Sequence, residues 1–169
     1  MQRRTAAQRL NGVTDTMADP ATPEQVYRDN AVALLRLAFL LTNSREHAED
    51  IVQQAFTSAF ARWPTIEQPL AYLKRAVVNM ANETHRRRAR DRGLVERAGA
   101  VSEGVTTQPE VDEAWAYIRR LPARQRTVVV LHFYEDLALH QIADLLSRPA
   151  ATIRSDLRRA LNRLRKVLR

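Results

Sequence analysis

The sequence predicts an all-α protein of two small helical domains joined by a flexible linker, the C-terminal domain containing a helix-turn-helix. Three observations predict this fold class. Apolar residues recur at helical spacing along most of the 169 residues, three of the four glycines fall in one polar stretch, and a tight turn separates two apolar helices near the C-terminus. A chain of this length can form two small domains, although length alone does not decide between one domain and two.

The polar stretch, residues 89–109, has the composition of a linker. It contains Gly93, Gly99 and Gly104, is otherwise rich in small and polar residues, and ends at Pro109. It lacks the sustained apolar periodicity that a packed helix needs. We therefore predict a disordered lead-in, a first domain, the linker and a second domain, with the boundaries 1–22, 23–88, 89–109 and 110–169.

Three helices are predicted in the first domain. Asn43 and Ser44 mark a turn between the first and second helices. Pro64 ends the second helix, and Pro69 opens the third. The residues predicted to face the core are Val26, Ala33, Leu34, Leu37, Leu40 and Leu41 in the first helix, Ile51, Val52, Ala55, Phe56, Ala59 and Phe60 in the second, and Leu70, Leu73, Val77, Met80 and Ala81 in the third.

Four shorter helices are predicted in the second domain. The apolar run at 128–131 is also compatible with a buried strand, but its polar flanks favour a helix. The predicted helices cover residues 111–121, 122–134, 137–146 and 150–168. The residues predicted to be buried in the first two of these are Trp115, Ile118, Val128, Val129, Leu131 and Phe133.

The last two helices have the pattern of a helix-turn-helix. Ala143 is small, as close packing of the two helices requires, and Ile153 and Leu157 anchor the second helix to the core. Such a helix fits the major groove of DNA with its N-terminal half against base edges. The alternative is an ordinary helical hairpin with a basic surface. The candidate DNA contacts are Arg148 in the turn and Ala151, Thr152, Arg154, Ser155, Arg158 and Arg159 on the second helix.

The distribution of charge favours the DNA-binding interpretation. The formal net charge is +8. Residues 148–169 contain seven arginines and one lysine against one aspartate, a net charge of +7. Basic charge concentrated on one element is typical of nucleic-acid contact, although it also occurs on a solvated helix face.

Several functional classes are not supported by the sequence. The chain has no cysteine, its four histidines lack metal-ligand spacing, and it contains no glycine-rich phosphate loop. We therefore predict no catalytic residue, no metal and no cofactor. No apolar stretch is long enough to cross a membrane, and no secretory signal opens the chain. We therefore expect a cytoplasmic protein without membrane insertion.

The second domain resembles the promoter −35 domain of the extracytoplasmic-function (ECF) sigma factors of bacterial RNA polymerase. A leucine-proline pair opens a helix, an aromatic-acidic turn follows, and the helix-turn-helix ends in an arginine-rich tail. The residues that match the family pattern TVKSRL are Thr152, Ile153, Arg154, Ser155 and Leu157. Asp156 departs from the pattern, which usually has arginine there, so the resemblance implies a lost phosphate contact or an altered sequence preference.

The run HAEDIVQQAFTSAFARW in the first domain resembles the polymerase-binding signature of the same family. Gln54 stands where the family commonly has glutamate. On composition alone this polar strip, which includes Glu46, is equally a solvated helix face. The resemblance implies contact with a coiled coil of the largest polymerase subunit through Glu49, Asp50, Gln53, Gln54 and Phe56.

The third helix resembles the region of the family that recognises and opens the promoter −10 element. Val78 replaces a usual arginine, and Glu83 replaces a usual aspartate. Asn79 is either a base contact or a buried structural residue, and the arginine run is either a backbone contact or a solvated helix end. The residues implied as DNA contacts are Trp63, Arg75, Asn79, Asn82, Arg86, Arg87 and Arg88, with the loop 63–68 as a pocket wall.

The resemblance covers roughly residues 24–168 and implies a promoter-specific initiation factor, not an enzyme. Its partners would be core RNA polymerase, promoter DNA and an anti-sigma factor bound between the two domains. The free chain would be a monomer. The linker would thread through the polymerase cleft. The main alternative is a stand-alone helix-turn-helix regulator, and a second is an adaptor or anti-sigma factor that never reads DNA.

Overall fold

The computed structural model describes residues 21–95 and 113–167, and every regular element in these ranges is helical. The all-α fold class is therefore confirmed. No helix in these ranges is both long and apolar enough to cross a bilayer. The predicted lead-in lies outside the described residues, apart from its last two positions. The elements are α1 (Pro23–Thr42), α2 (Arg45–Phe60), a short 3-10 helix (Trp63–Thr65), α3 (Pro69–Val95), α4 (Glu113–Ile118), α5 (Ala123–Phe133), α6 (Leu139–Leu146) and α7 (Ala150–Val167).

Local hydrogen bonds define the ends of the first two helices. The Thr22 hydroxyl accepts from the Gln25 backbone N–H, and the Gln25 side chain accepts from the Thr22 N–H in return, which is a capping box. Asn43 ends α1 in the left-handed region at φ 54°. The Ser44 hydroxyl then accepts from the backbone N–H of His47 and caps α2. The predicted turn between α1 and α2 is thus present.

Helices α1, α2 and α3 pack into a three-helix cluster around Leu34, Leu37, Leu73 and Val77. Three residues predicted to be buried there are exposed. Phe60 is 63% exposed because it is the last residue of α2, where the neighbouring helices no longer cover it. The other two are Ala33, at the margin of the apolar stripe of α1, and Leu70, in the first turn of α3.

Helix α3 continues to Val95, inside the predicted linker. The sequence of the extension shows no apolar stripe, and one ion pair, between Arg90 and Glu83, connects it to the preceding turns. The Glu83 carboxylate lies 3.7 Å, 3.3 Å and 3.0 Å from Arg86, Arg87 and Arg90, at spacings that place these side chains on neighbouring turns. Intrinsic propensity and such pairs can maintain a solvated helix without a packed face. The rest of the predicted linker, from residue 96, lies outside the described residues.

Helices α4 to α7 form the second cluster, with α5 at its centre. Every residue from Gln125 to Leu131 is buried, because α1, α6 and α7 all pack against α5. This environment explains why the run 128–131 resembles a buried strand in sequence although it is helical. Phe133, predicted to be buried, is 58% exposed at the end of α5. Helix α6 begins at Leu139, because a turn with Asp136 at φ 52° precedes it.

The two clusters are in contact, and most of their buried apolar residues form one continuous core, with a smaller second core at Leu121, Val129 and Ala160. Phe39 of α1 lies 6.2 Å from Trp115 of α4 between ring centroids. Helix α5 packs on α1, and α6 touches α3. Two tethered domains were predicted from the sequence; the structure adds that they are docked on each other.

Candidate polymerase and DNA interfaces

The candidate polymerase surface is a polar strip along α2. Glu49, Asp50, Gln53 and Gln54 are all exposed, while the opposite face of the helix is buried. Their spacing places them on two successive turns of one face. Glu49 forms an ion pair with Arg45 at 2.7 Å, whereas Asp50 forms no ion pair within the described residues. Asp50 is therefore available to an external partner.

An aromatic pair borders this strip. Phe56 is half-buried, and its ring packs edge-on against Tyr27 of α1, with ring centroids 4.9 Å apart and an interplanar angle of 68°. Tyr27 remains more than half exposed. Sequence reasoning missed Tyr27, because its contact with Phe56 depends on the antiparallel pairing of α1 and α2. A polar strip with an aromatic edge is typical of a protein-binding surface.

The candidate −10 surface is a single stripe of polar residues on α3. Arg75, Asn79, Asn82 and Arg86 lie at spacings of four, three and four residues, which places them on one face of the helix. Arg75, Asn79 and Arg86 are exposed and Asn82 is half-buried. The exposure of Asn79 excludes the alternative of a buried structural residue.

The other residues predicted to contact the −10 element lie outside this stripe. Arg87 is exposed beside Arg86, but Arg88 is half-buried, with its guanidinium 3.0 Å from Nε2 of the His47 ring. Trp63 is half-buried, and its indole N–H donates to the carbonyl of Ala21. Among the predicted −10 contacts, Arg88 and Trp63 are therefore engaged within the protein, whereas the stripe and Arg87 remain accessible to DNA.

Val78 is only 2% exposed and belongs to the core of the first cluster. The position where the family usually has arginine therefore cannot contact DNA here. A shallow, open groove lies at the start of α3, lined by Gln68, Pro69, Leu70 and Lys74 among others. The loop 63–68, predicted as a pocket wall, contributes only its last residue to this groove.

Helices α6 and α7 form the predicted helix-turn-helix. Ser147 ends α6 at φ 51°, and the Arg148 N–H donates to the Ala143 carbonyl at 2.9 Å, which tightens the turn. Ile142 and Ile153 are completely buried where the two helices meet. On the outer surface of α7, four predicted residues are exposed and two are half-buried: Ala151, Arg154, Arg158 and Arg159, and Thr152 and Ser155.

Asp156 does not lie on this outer surface. It is buried, and its carboxylate accepts from the Arg148 guanidinium at 2.5 Å. The side chain that departs from the family pattern therefore ties α7 to the turn, and its partner is a residue predicted to contact DNA. By contrast, Arg154, Arg158 and Arg159 form no ion pair within the described residues. These three arginines contribute unpaired positive charge to the outer surface of α7.

No group of three or more histidine, aspartate or glutamate side chains in the described parts of the chain is arranged to hold a metal ion. Two of the histidines instead contact backbone carbonyls. His85 lies 2.7 Å from the Leu41 carbonyl through Nε2, and His132 lies 2.8 Å from the Leu137 carbonyl through Nδ1.

Two family models match the chain: Sigma-70 region 2 over residues 26–91, and Sigma-70, region 4 over residues 117–166. The chain is 33% identical to the RNA polymerase sigma-E factor of Streptomyces coelicolor over 150 residues, covering 86% of this chain and 85% of that protein. It is 26% identical to the ECF RNA polymerase sigma factor SigW of Bacillus subtilis, covering 94% of this chain and 91% of that one.

A solved structure has a similar fold: the sigma factor RpoE in complex with the anti-sigma factor NepR from Bartonella quintana. Its TM-score is 0.65 at 23% identity, covering 86% of this chain and 95% of that chain. At this level of identity the likeness concerns the fold alone.

Proposed function

The chain belongs to the extracytoplasmic-function group of the sigma-70 family, whose members are non-enzymatic factors for transcription initiation, and from this premise we propose how its surfaces share that work. Sigma factors bind RNA polymerase and DNA. We assign polymerase binding to α2, −10 recognition and opening to α3, and −35 recognition to α7. A stand-alone regulator would not need a region 2 module, and an adaptor would not need the free arginines of α7.

The polymerase contact is centred on Asp50. Its carboxylate is exposed and forms no ion pair within the described residues, and it lies one turn before the amides of Gln53 and Gln54 on the same helix. A basic or polar helix of a partner can lie along this strip with its apolar side chains against the Phe56 and Tyr27 rings.

The −35 contact is made by α7 in the major groove. Arg154 is exposed within the first half of the helix, where a bidentate contact with guanine O6 and N7 is geometrically available. Arg158 and Arg159 lie one turn further along and suit phosphate contacts, which fix the position of the helix but do not read sequence.

The −10 contact is made by the α3 stripe. Asn79 and Asn82 can hydrogen-bond an unpaired base, while Arg75 and Arg86 at the two ends of the stripe hold the backbone. Neutral amides between two cations suit single-stranded DNA, whose bases and phosphates are both accessible.

We further propose that the free chain is a monomer, that it acts in the bacterial cytoplasm where RNA polymerase works, and that an anti-sigma factor controls it. The last proposal is supported by the similar fold of RpoE, solved with the anti-sigma factor NepR. It is also supported by the exposed apolar side chains Phe133 and Tyr134 at the end of α5.

The experiment that tests this function combines the purified chain with bacterial core RNA polymerase and fragmented genomic DNA from its source, followed by sequencing of run-off transcripts. Discrete start sites with shared upstream motifs are expected. Asp50→Ala should abolish polymerase binding, and Arg154→Ala should weaken promoter binding roughly 30-fold. Asp144→Ala and Arg28→Ala are matched controls, since both side chains are exposed and lie outside the proposed surfaces. DNA binding without polymerase binding or transcripts would overturn the proposal in favour of a stand-alone regulator.

A further inference from the structure

A carboxylate lies on the core-facing side of α7. Among the described residues of this helix, those that are buried are Ile153, Asp156 and Ala160, at spacings of three and four, which places all three on one face. Ile153 and Ala160 are apolar, and Asp156 between them is 7% exposed. Because burial of an unpaired charge is unfavourable, a carboxylate at this place requires a partner.

The partner comes from the turn that precedes the helix. The Arg148 guanidinium donates to the Asp156 carboxylate at 2.5 Å, and the two side chains are 21% and 10% exposed. Asp156 lies six residues beyond Ala150, the first residue of α7, which is about 9 Å along the helix axis. The Arg148 side chain therefore connects the turn to the second turn of α7.

A nearer acid in sequence does not take this role. Asp144 precedes Arg148 by four residues, is exposed near the end of α6, and forms no ion pair within the described residues. A pair between Arg148 and Asp144 would have left α7 unattached to the turn. The pair with the buried Asp156 instead joins the turn to the inner face of α7.

The direction of the ion pair separates Arg148 from the surface that faces DNA. Asp156 follows the exposed Arg154 by two residues, which is about 200° around the axis at 3.6 residues per turn. A guanidinium that contacts Asp156 is therefore on the side of α7 opposite to Arg154. Arg158 and Arg159 remain exposed and without an ion pair in the described parts of the chain, so α7 has phosphate contacts available without Arg148.

We propose that Arg148 and Asp156 are positioning residues for −35 recognition and that neither contacts DNA. By joining the turn to the inner face of α7, their ion pair fixes the rotation of the helix about its axis, and with it the direction of the Arg154 side chain. A functional contact of this kind tolerates a misplacement of only about 0.5 Å and 10–20°. The ion pair thus supports selectivity for the −35 sequence, not affinity for the DNA backbone. This inference rests on the proposed −35 role of α7.

The test measures promoter binding by the holoenzyme, formed from the full chain and core polymerase, on a promoter identified by the run-off experiment. One readout is the slope of log K against log salt, which counts phosphate contacts. The other is the discrimination ratio, the affinity for the promoter divided by the affinity for duplexes with single −35 substitutions. Arg148→Gln should leave the slope unchanged and lower the ratio about fivefold. Loss of a phosphate contact would instead lower the slope by about one and leave the ratio unchanged.

Asp156→Asn is the reciprocal variant. Because the neutral amide no longer holds Arg148, its guanidinium becomes available to a phosphate, so the slope should rise by about one while the ratio falls about fivefold. The matched controls are Asp144→Asn and Arg163→Gln, which make the same changes in net charge at exposed residues outside the proposed surfaces. Both controls should leave the discrimination ratio unchanged.

A double variant covers the case in which loss of one charge from a buried pair prevents folding. Arg148→Met with Asp156→Leu replaces the pair by apolar side chains at the same net charge. Its slope should equal that of the unmodified chain, and its ratio should fall, because apolar contacts do not fix a direction as an ion pair does. A slope lower by about one, or an unchanged ratio in every variant that folds, would overturn the proposal. An unchanged ratio for Arg154→Ala would instead overturn the −35 role of α7 itself.

Discussion

Helices α3 and α7 are both long and basic, but their arginines differ in how many form ion pairs. On α3, Glu83 forms ion pairs with three arginines of its own helix, and Arg88 lies against His47. On the outer face of α7, Arg154, Arg158 and Arg159 are exposed and form no ion pair within the described residues. The paired arginines of α3 therefore offer less net positive charge to a partner than the unpaired arginines of α7.

This difference indicates that α7 and α3 contribute in different ways to the affinity and the selectivity of DNA binding. Unpaired arginines attract DNA at long range and release counterions, so α7 should dominate the salt-dependent part of binding. On α3, Glu83 already partly neutralises three of the arginines, and the exposed amide of Asn79 lies one turn before Glu83. Recognition by α3 should therefore depend more on hydrogen-bond geometry than on charge.

The largest expected effect comes from Arg154→Ala. Loss of a bidentate base contact should weaken binding of the holoenzyme to a promoter duplex by about 2 kcal/mol, or roughly 30-fold. Arg87→Ala on α3 is the control, and should cost well below 1 kcal/mol because Glu83 already neutralises that side chain. The measurement is fluorescence anisotropy of labelled promoter DNA. Equal losses for the two variants would contradict the contrast between the helices.

Asn79→Ala should have the next largest effect, and on a different step. Loss of a hydrogen bond to an unpaired base should reduce open-complex formation by about 1–1.5 kcal/mol, with duplex binding nearly unchanged. Permanganate reactivity of −10 thymines measures this step directly. A matched amide control is Gln68→Ala, since Gln68 is exposed but lies off the stripe. If Asn79→Ala weakened closed-complex binding as much as opening, α3 would not act mainly on unpaired bases.

A smaller effect separates the helices by their response to salt. Arg158→Ala with Arg159→Ala should reduce the slope of log K against log salt by about two, since each removes roughly one phosphate contact. The pair Arg86→Ala with Arg87→Ala should reduce it by less, because both arginines are paired with Glu83. Filter binding across a salt series would decide. A steeper loss for the α3 pair would reverse the comparison.

The smallest expected effect comes from making α3 resemble α7. Glu83→Gln removes the carboxylate that holds three arginines and should strengthen DNA binding at low salt by about 0.5 kcal/mol, an advantage that disappears at high salt. Exposed Glu67→Gln is the control for a simple change in net charge. Identical gains in DNA-binding affinity for both variants would mean that Glu83 acts only through the net charge and not by neutralising the neighbouring arginines.

Much of the fold follows from local sequence signals. The helix-turn-helix could be predicted because small Ala143 and apolar Ile153 occupy positions that the motif requires, and both are buried. The exposure of Phe60 and Phe133 could not, since it depends on where neighbouring helices end. The extension of α3 also escaped prediction, because its sequence has no apolar stripe that would indicate a helix.

The candidate sites were predicted less completely than the fold. The polar strip on α2 and the stripe on α3 follow from helical spacing. The aromatic contact of Tyr27, the buried guanidinium of Arg126 and the pairing of Lys74 with Glu135 arise only from tertiary packing. No local pattern identifies residues that meet from opposite halves of the chain.

The ion pair between Arg148 in the turn and Asp156 in α7 makes these two positions depend on each other in evolution. A helix α7 transplanted alone into a relative would carry a buried carboxylate separated from Arg148, and the original protein would be left with a half-buried arginine without its carboxylate. Either change alone should lower the stability of its host. Substitutions at these two positions should therefore be fixed together as lineages diverge, and a chimaera should exchange residues 148–156 as one block.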